Sequence, residues 1–398
     1  MSNLTELNSN IEQSNSYYKK DEGKIWLSSP HMSGEEQKYI QEAFESNWIA
    51  PLGANVDGFE QDVCGFTGAK YAAALSSGTA AIHLALKLCN VGIDDYVICQ
   101  SFTFVATANA IAYEKAIPIF VDSETETWGM DPKLLEKAIL HCISLEKKPK
   151  AIIPVHLYGM PVKMEEIMEI ARKYNIPVIE DAAEALGSTI HGKQCGTFGD
   201  YGIISFNGNK IITTSGGGML LSDDKIKIEK ARFLATQSRD NAPYYAHSEL
   251  GYNYRLSNVL AGIGRGQMEV ISDRVSQRRS NFEFYQNALK NISGITFLQE
   301  QNSCESNRWL TIILVDPKLT GGITSEDLRL ALVNENIESR PLWKPMHMQP
   351  LYDKNPYFGH GVAMKLFKTG LCLPSGSNLT IEELQRVVDV INIMIDGR

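Results

Sequence analysis

The sequence predicts an α/β protein: a mainly parallel central sheet flanked by helices, with a smaller α+β domain at the C-terminal end. The first observation is a rhythm. Short apolar runs, "YVIC", "IPIFVD", "KAIIPVH", "IPVIED", "YGIISF" and "GMLLS", alternate with helical or turn-rich stretches such as "KMEEIMEIARKY", the alternation that builds parallel sheets. The second is a change of that rhythm after "RLSNVLAGIGRGQMEVISDRV", where one strand, "WLTIILVD", and helices follow. The third is size, because 398 residues with 43% hydrophobic and 21% charged side chains suffice for two domains with sizeable cores. These are placed at residues 25–270 and 271–398, behind a leader at residues 1–24.

Taken in order, the leader "MSNLTELNSNIEQSNSYYKK" lacks the apolar core of a signal peptide and reads as a mobile polar tail. Ser33 and Glu36 have capping-box spacing ahead of Ile40, Ala43 and Phe44, which share a helical face. In "SSGTAAIHLALKLCN" the stripe Ala81, Leu84, Ala85 and Leu88 predicts a helix that starts at the "SGT". The strand candidates then follow, a further helix opens near Ser257, and the last helices are capped at Thr324 and Thr380. No repeat, low-complexity stretch or bilayer-length apolar run interrupts this series.

Composition narrows the function. A net charge of −9 without a long basic run removes the attraction on which nucleic-acid binding depends. The seven cysteines, Cys64, Cys89, Cys99, Cys142, Cys195, Cys304 and Cys372, are scattered and form no C-x-x-C pair, so neither a disulfide framework nor a zinc site is expected. A reducing cytoplasm fits this usage. Cys195 and the eight histidines show no metal-ligand spacing, and no metal is expected.

Sites in open α/β sheets lie at the carboxyl ends of strands. There "IPVIEDAAEALGS" ends a strand on Glu180 and Asp181, and "YGIISF" ends just before the loop "NGNKIITTSGGG" that carries Lys210. Ser77, Gly78 and Thr79 open a helix whose backbone N–H groups, hydroxyls and dipole suit a phosphate. Each piece has a plainer reading: an N-cap for "SGT", a helix cap for Asp181, a solvated or ion-paired charge for Lys210. The lysine loop is not a Walker A element, since Ile211 follows the lysine and the G-x-x-x-x-G-K order is absent. Together, though, an anion cup, a buried acid and a lysine are the needs of one cofactor, pyridoxal 5′-phosphate: a lysine for the Schiff base, and an acid to keep the pyridine nitrogen protonated. "SFTFVATANA" adds Phe102 and Phe104 as aromatic faces, of which the strand period assigns at least one to the core.

From about Ile25 onward the chain resembles the DegT/StrS family of sugar-nucleotide aminotransferases, which have the aspartate-aminotransferase type of fold, fold type I of the pyridoxal-phosphate transferases. The matching stretches, in family order, are "SSGTAAIHLAL", "FTFVATANAI", "PVHLYGMP", "IEDAAEALGS", "GDYGIISFNGNKIITTSGGGM" and "LGYNYRLSNVLAG". The resemblance implies that Lys210 forms the Schiff base and Asp181 pairs with the pyridine nitrogen. It implies that Gly78, Thr79 and Ser205 hold the phosphate, that Phe104 lies on the ring, and that Asn253 completes the phosphate site of a neighbouring subunit, hence a homodimer with shared sites. Glu184 departs from the commoner family pattern, which has Gln or His three residues after the aspartate; a contact to the ring's phenolic oxygen then needs a protonated or bridged carboxyl. The segment around "NWIAPLG" looks most like members that aminate UDP-linked 4-keto-6-deoxy-N-acetylhexosamines, with glutamate as the implied amino donor and bacterial glycan sugar synthesis as the implied setting.

Candidate contacts for the sugar nucleotide are His156 and Tyr158 in "PVHLYG", Asn207 beside the lysine, and Arg340, Trp343, Lys344 and His347 in "SRPLWKPMHMQP". That last stretch equally suits a structural connection between domains. Arg239 in "ATQSRDNAPYY" is a second diphosphate candidate, against a plain reading as a solvated charge. Alternatives to a UDP-sugar aminotransferase are a GDP- or dTDP-keto-sugar aminotransferase, a histidine-type dehydratase, which Lys210 disfavours, and a non-catalytic cofactor-binding regulator.

Overall fold

The computed structural model describes residues 23–397. The polar leader expected at residues 1–24 falls almost wholly outside the described residues. Two four-stranded sheets, one ordered Tyr71–Leu75, Gly218–Ser222, Tyr201–Ser205, Ile179–Asp181 and the other Tyr357–Phe358, Ile117–Val121, Tyr96–Gln100, Ala151–Ile153, form the large layer. Parallel bridges Ile152–Val178 and Val155–Asp181 join them edge to edge. In this joined sheet Gly218–Ser222 runs against both of its neighbours, and every other pairing is parallel. The sheet is therefore mainly parallel, as the alternation of apolar runs and helical periods predicts, and its parallel strands are buried on both faces.

Several elements follow directly from local chemistry. Ser77 accepts a hydrogen bond from the Ala80 N–H and starts the helix Gly78–Leu88. Ser257 does the same for Asn258–Met268, and Thr324 and Thr380 build full capping boxes with Asp327 and Glu383. At Ser33 the box is half made: Glu36 reaches back to the Ser33 N–H at 2.9 Å, but the serine hydroxyl accepts from the Glu35 N–H instead. The helix Gly78–Leu88 is buried over most of its surface because it lies between the sheet and the helices Val105–Tyr113 and Lys225–Ala235.

The structure holds strands in two places where the sequence does not announce them. The strand Tyr71–Leu75, "YAAAL", pairs with Gly218–Ser222 although its alanines carry a weak strand signal. The C-terminal part holds an antiparallel four-stranded sheet, Ile295–Phe297, Thr311–Val315, Gly370–Leu373 and Arg340–Pro341, where the sequence suggests one strand. Its partners are two to four residues long, too short for a period to show. Ile25 packs in the core of this C-terminal sheet and bridges to Ile337, so it belongs to the C-terminal layer and not to the large domain at whose start the sequence places it. No helix among the described residues is long and apolar enough to cross a membrane.

Candidate active site

The carboxyl ends of Ile179–Asp181 and Tyr201–Ser205, together with the N-terminus of Gly78–Leu88, open into a cavity of about 850 Å³. Gly78, Thr79, Phe104, Asp181, Glu184, Ser205, Asn207, Lys210, Trp343 and Lys344 all line it. The strands place these groups because parallel strands that end at one edge deliver their following loops to one crevice.

Asp181 is 4% exposed. Its carboxylate accepts from Thr107 Oγ1 at 2.8 Å and from the Ala183 N–H at 3.2 Å, and burial pushes its pKa above the usual carboxylate value. Lys210 sits in a turn closed by its N–H to Asn207 O, and its Nζ lies 3.1 Å from Glu184 Oε1. On its other side the ring of Trp309 stands 4.2 Å from Nζ, a cation–π contact. Glu184 Oε2 accepts the Tyr158 N–H at 2.7 Å, an N–H presented by a residue with φ of +56°. Burial lifts the Glu184 pKa to about 7, against the opposing pull of Lys210.

The phosphate end is marked by backbone crowding. A Cβ on Gly218 would meet the Ser77 carbonyl carbon at 2.3 Å, and one on Gly78 would approach the Ser205 Cβ at 3.1 Å. Only glycine lets the strand Gly218–Ser222 lie against the helix start, and Ser205 then faces the open N–H groups of the first turn. This cup, and a buried acid whose ionised form needs a cation, fit the phosphate and the protonated ring of pyridoxal phosphate at opposite ends.

Arg340 lines the cavity too, whereas His156, Tyr158, Arg239, Asn253 and His347 do not reach its wall. His156 is fully buried, with Nε2 on Glu180 Oε1 at 2.8 Å and Nδ1 accepting the Val162 N–H. Tyr158 is buried as well, its hydroxyl accepting the Trp343 N–H. His347 bonds Ser101 Oγ and stacks on Tyr357, and Arg239 lies over the Tyr245 ring. Asn253 is exposed and bridges to Thr236, away from this cavity. Of the two phenylalanines, Phe102 is core and Phe104 is 54% exposed beside Trp343.

The structure also reveals groups that sequence reasoning passes over. Trp309, Glu338 and Leu27 line the cavity, and Thr107 holds Asp181. Thr107 had a signal, a second threonine one helical turn after Thr103; Trp309 had none, being the first residue of an apolar run. His156, Glu180 and Cys195, far apart in spacing, meet within 4.8 Å. Glu180 there also accepts the N–H groups of Gly196, Phe198 and Gly199, so the cluster acts as a strut under the strand end that carries Asp181.

A sheet of this order with a lysine, a buried acid and a phosphate cup at its carboxyl edge defines a pyridoxal-phosphate enzyme of fold type I. The model of the DegT/DnrJ/EryC1/StrS aminotransferase family matches residues 30–392. A Bacillus subtilis (strain 168) protein named "Putative pyridoxal phosphate-dependent aminotransferase EpsN" is 56% identical over 372 residues, covering 92% of this chain and 95% of that one. The GDP-perosamine synthase of Escherichia coli O157:H7 is 38% identical, covering 91% and 96%. The crystal structure of a DegT DnrJ EryC1 StrS aminotransferase from Brucella abortus superimposes with a TM-score of 0.85 at 26% identity, over 91% of this chain and 95% of that one. The chain belongs to the DegT/DnrJ/EryC1/StrS aminotransferase family and is a pyridoxal phosphate-dependent sugar aminotransferase.

Proposed function

We propose that this enzyme moves an amino group from glutamate to a UDP-linked 4-keto-6-deoxy-N-acetylhexosamine, as one step of bacterial glycan sugar synthesis in the cytoplasm, and that it works as a homodimer. The observation that carries the reaction type is the meeting of Lys210, Asp181 and the Gly78–Thr79 helix start in one cavity. When bound, pyridoxal phosphate supplies an aldehyde that takes up the amino nitrogen and a ring that accepts the electrons released at the substrate carbon. Gly78, Thr79 and Ser205 would hold its phosphate, and Asp181, fixed by Thr107, would hold the proton of the ring nitrogen. Phe104, which lines the cavity, would cover the ring. Lys210 Nζ would move the proton between the donor's α-carbon and C4′ of the cofactor, the work of a general base on a short leash. Asn207, Trp343 and Lys344, at the cavity wall, orient the sugar nucleotide.

The likeness to a GDP-perosamine synthase favours a second reading in which the acceptor is a GDP-linked keto-sugar. A panel of UDP-, GDP- and dTDP-linked keto-sugars, incubated with enzyme and glutamate and analysed by mass, separates these readings. Turnover of the GDP substrate alone overturns the UDP assignment. Lys210→Ala is expected to lose at least about a thousandfold in turnover, since positioned proton transfer and the covalent anchor are lost together. Near-normal turnover would remove Lys210 from its role.

A further inference from the structure

The long helix Ile271–Leu289 carries an arginine that the reaction does not explain. Arg278 is 1% exposed, and among the described residues no carboxylate pairs with it. Its Nη1 donates to the Trp309 carbonyl and its Nη2 donates to Ser28 Oγ at 2.9 Å, while among the described residues Nε finds no partner. An unpaired buried cation is costly, so such a group calls for a reason. Burial draws its pKa down to about 9, in keeping with that cost.

The two acceptors lead to one place. The Ser28 hydroxyl donates a hydrogen bond to the carbonyl of Asn209 at 2.8 Å, and the Trp309 indole N–H donates to that same carbonyl at 2.8 Å. Arg278, Ser28, Asn209 and Trp309 thus close a ring of hydrogen bonds. Asn209 directly precedes Lys210, and the Trp309 ring covers the Lys210 Nζ. The backbone of Trp309 is held besides by Asn307 Oδ1, while Asn307 Nδ2 donates to the Glu184 carbonyl. A lysine or glutamine at 278 would not span both acceptors, whereas the planar fork of arginine does.

We propose that Arg278 is a positioning residue: its guanidinium locks Trp309 and Asn209 into the cage that aims Lys210. The inference rests on Lys210 being the cofactor lysine, and its test separates the two. Arg278→Gln, Trp309→Leu and the double variant are reconstituted with pyridoxal phosphate, and the dissociation constant, the visible circular dichroism of the bound cofactor and the melting temperature are measured. Each single variant is expected to weaken cofactor binding about tenfold and to shrink the dichroism, and the double variant to be no worse than the weaker single one, because both break the same ring. Multiplying losses, about a hundredfold in the double variant, overturn the proposal. So does an Arg278→Gln protein that melts earlier with affinity and dichroism unchanged. Should Arg278→Gln fail to fold, Ser28→Ala removes one link of the ring with a single atom, and unchanged dichroism in that variant overturns it equally. A wild-type protein with no visible band on reconstitution would refute the Lys210 reading itself.

Discussion

At the scale of single residues, the unusual group is Glu184. Its carboxyl lies between the Tyr158 N–H and Lys210 Nζ with only 3% of the side chain exposed, and Asp181 adds a like charge nearby. Burial outweighs the help of both neighbours and lifts the pKa from 4.5 to about 7. A folded-state pKa above the unfolded one means that ionising Glu184 is harder in the native protein. Its contribution to stability is full below about pH 4.5 and is lost as pH rises through about 7. Glu184→Gln removes this dependence. Urea denaturation of the cofactor-free proteins should therefore show wild type losing ground to Glu184→Gln between those limits, by on the order of 1–3 kcal/mol. A difference that stays flat across this range would mean that Lys210 keeps Glu184 ionised throughout. The same property bears on the proposed reaction, for a carboxyl that is neutral near pH 7 could donate a hydrogen bond to the phenolic oxygen of a bound cofactor ring.

At the scale of elements, the phosphate cup depends on how closely a strand and a helix start approach. Gly218 leads the strand Gly218–Ser222, and a Cβ there would lie within 2.4 Å of Ser77 and Gly78 backbone atoms. Gly218→Ala must push the helix start away and spoil the cup; Gly216, where an added methyl would have nothing within 4 Å, gives the control. Reconstitution with pyridoxal phosphate should weaken at least about tenfold in Gly218→Ala, a loss typical of overpacking by about 1–3 kcal/mol. Gly216→Ala should bind nearly as the parent does, and equal losses in both would show that loop flexibility and not close approach governs the cup. The same contrast explains what was legible in the sequence. Strands with branched apolar runs, helices with Ser or Thr caps, and the loops after strand ends all announce themselves locally, which is how Lys210, Asp181 and Gly78 could be named. Trp309 and Arg278 could not, because their importance comes from contacts across sheets and with Ser28. His156 misled for the reverse reason: a strand-end histidine beside a glycine turn looks available, and only the fold shows Glu180 and Val162 holding both ring nitrogens.

At the scale of the whole molecule, Asn253 is the informative residue. It is exposed and outside the cavity that Lys210 lines, although the family resemblance implies a role at a phosphate. The surface also carries exposed apolar side chains in a stretch that bridges to Ser257 at Pro51: Phe44, Trp48, Ile49 and Leu52 are 60%, 52%, 52% and 51% exposed, an arrangement that suits burial against a second copy. If Asn253 serves the partner's cavity, then Lys210→Ala and Asn253→Ala, each inactive or weak alone, repair one another when mixed. In a hybrid dimer one cavity lacks both groups, while the other combines the intact lysine of one chain with the intact asparagine of its partner. Random exchange makes about half the dimers hybrid with one working site in two, so about a quarter of wild-type activity should return, with the concentration dependence of subunit exchange. A dimer in which Asn253 served its own cavity would leave both sites of the hybrid broken. Mixing would then restore nothing, and the shared site would have to be abandoned even though the dimer itself, seen by sedimentation, remained.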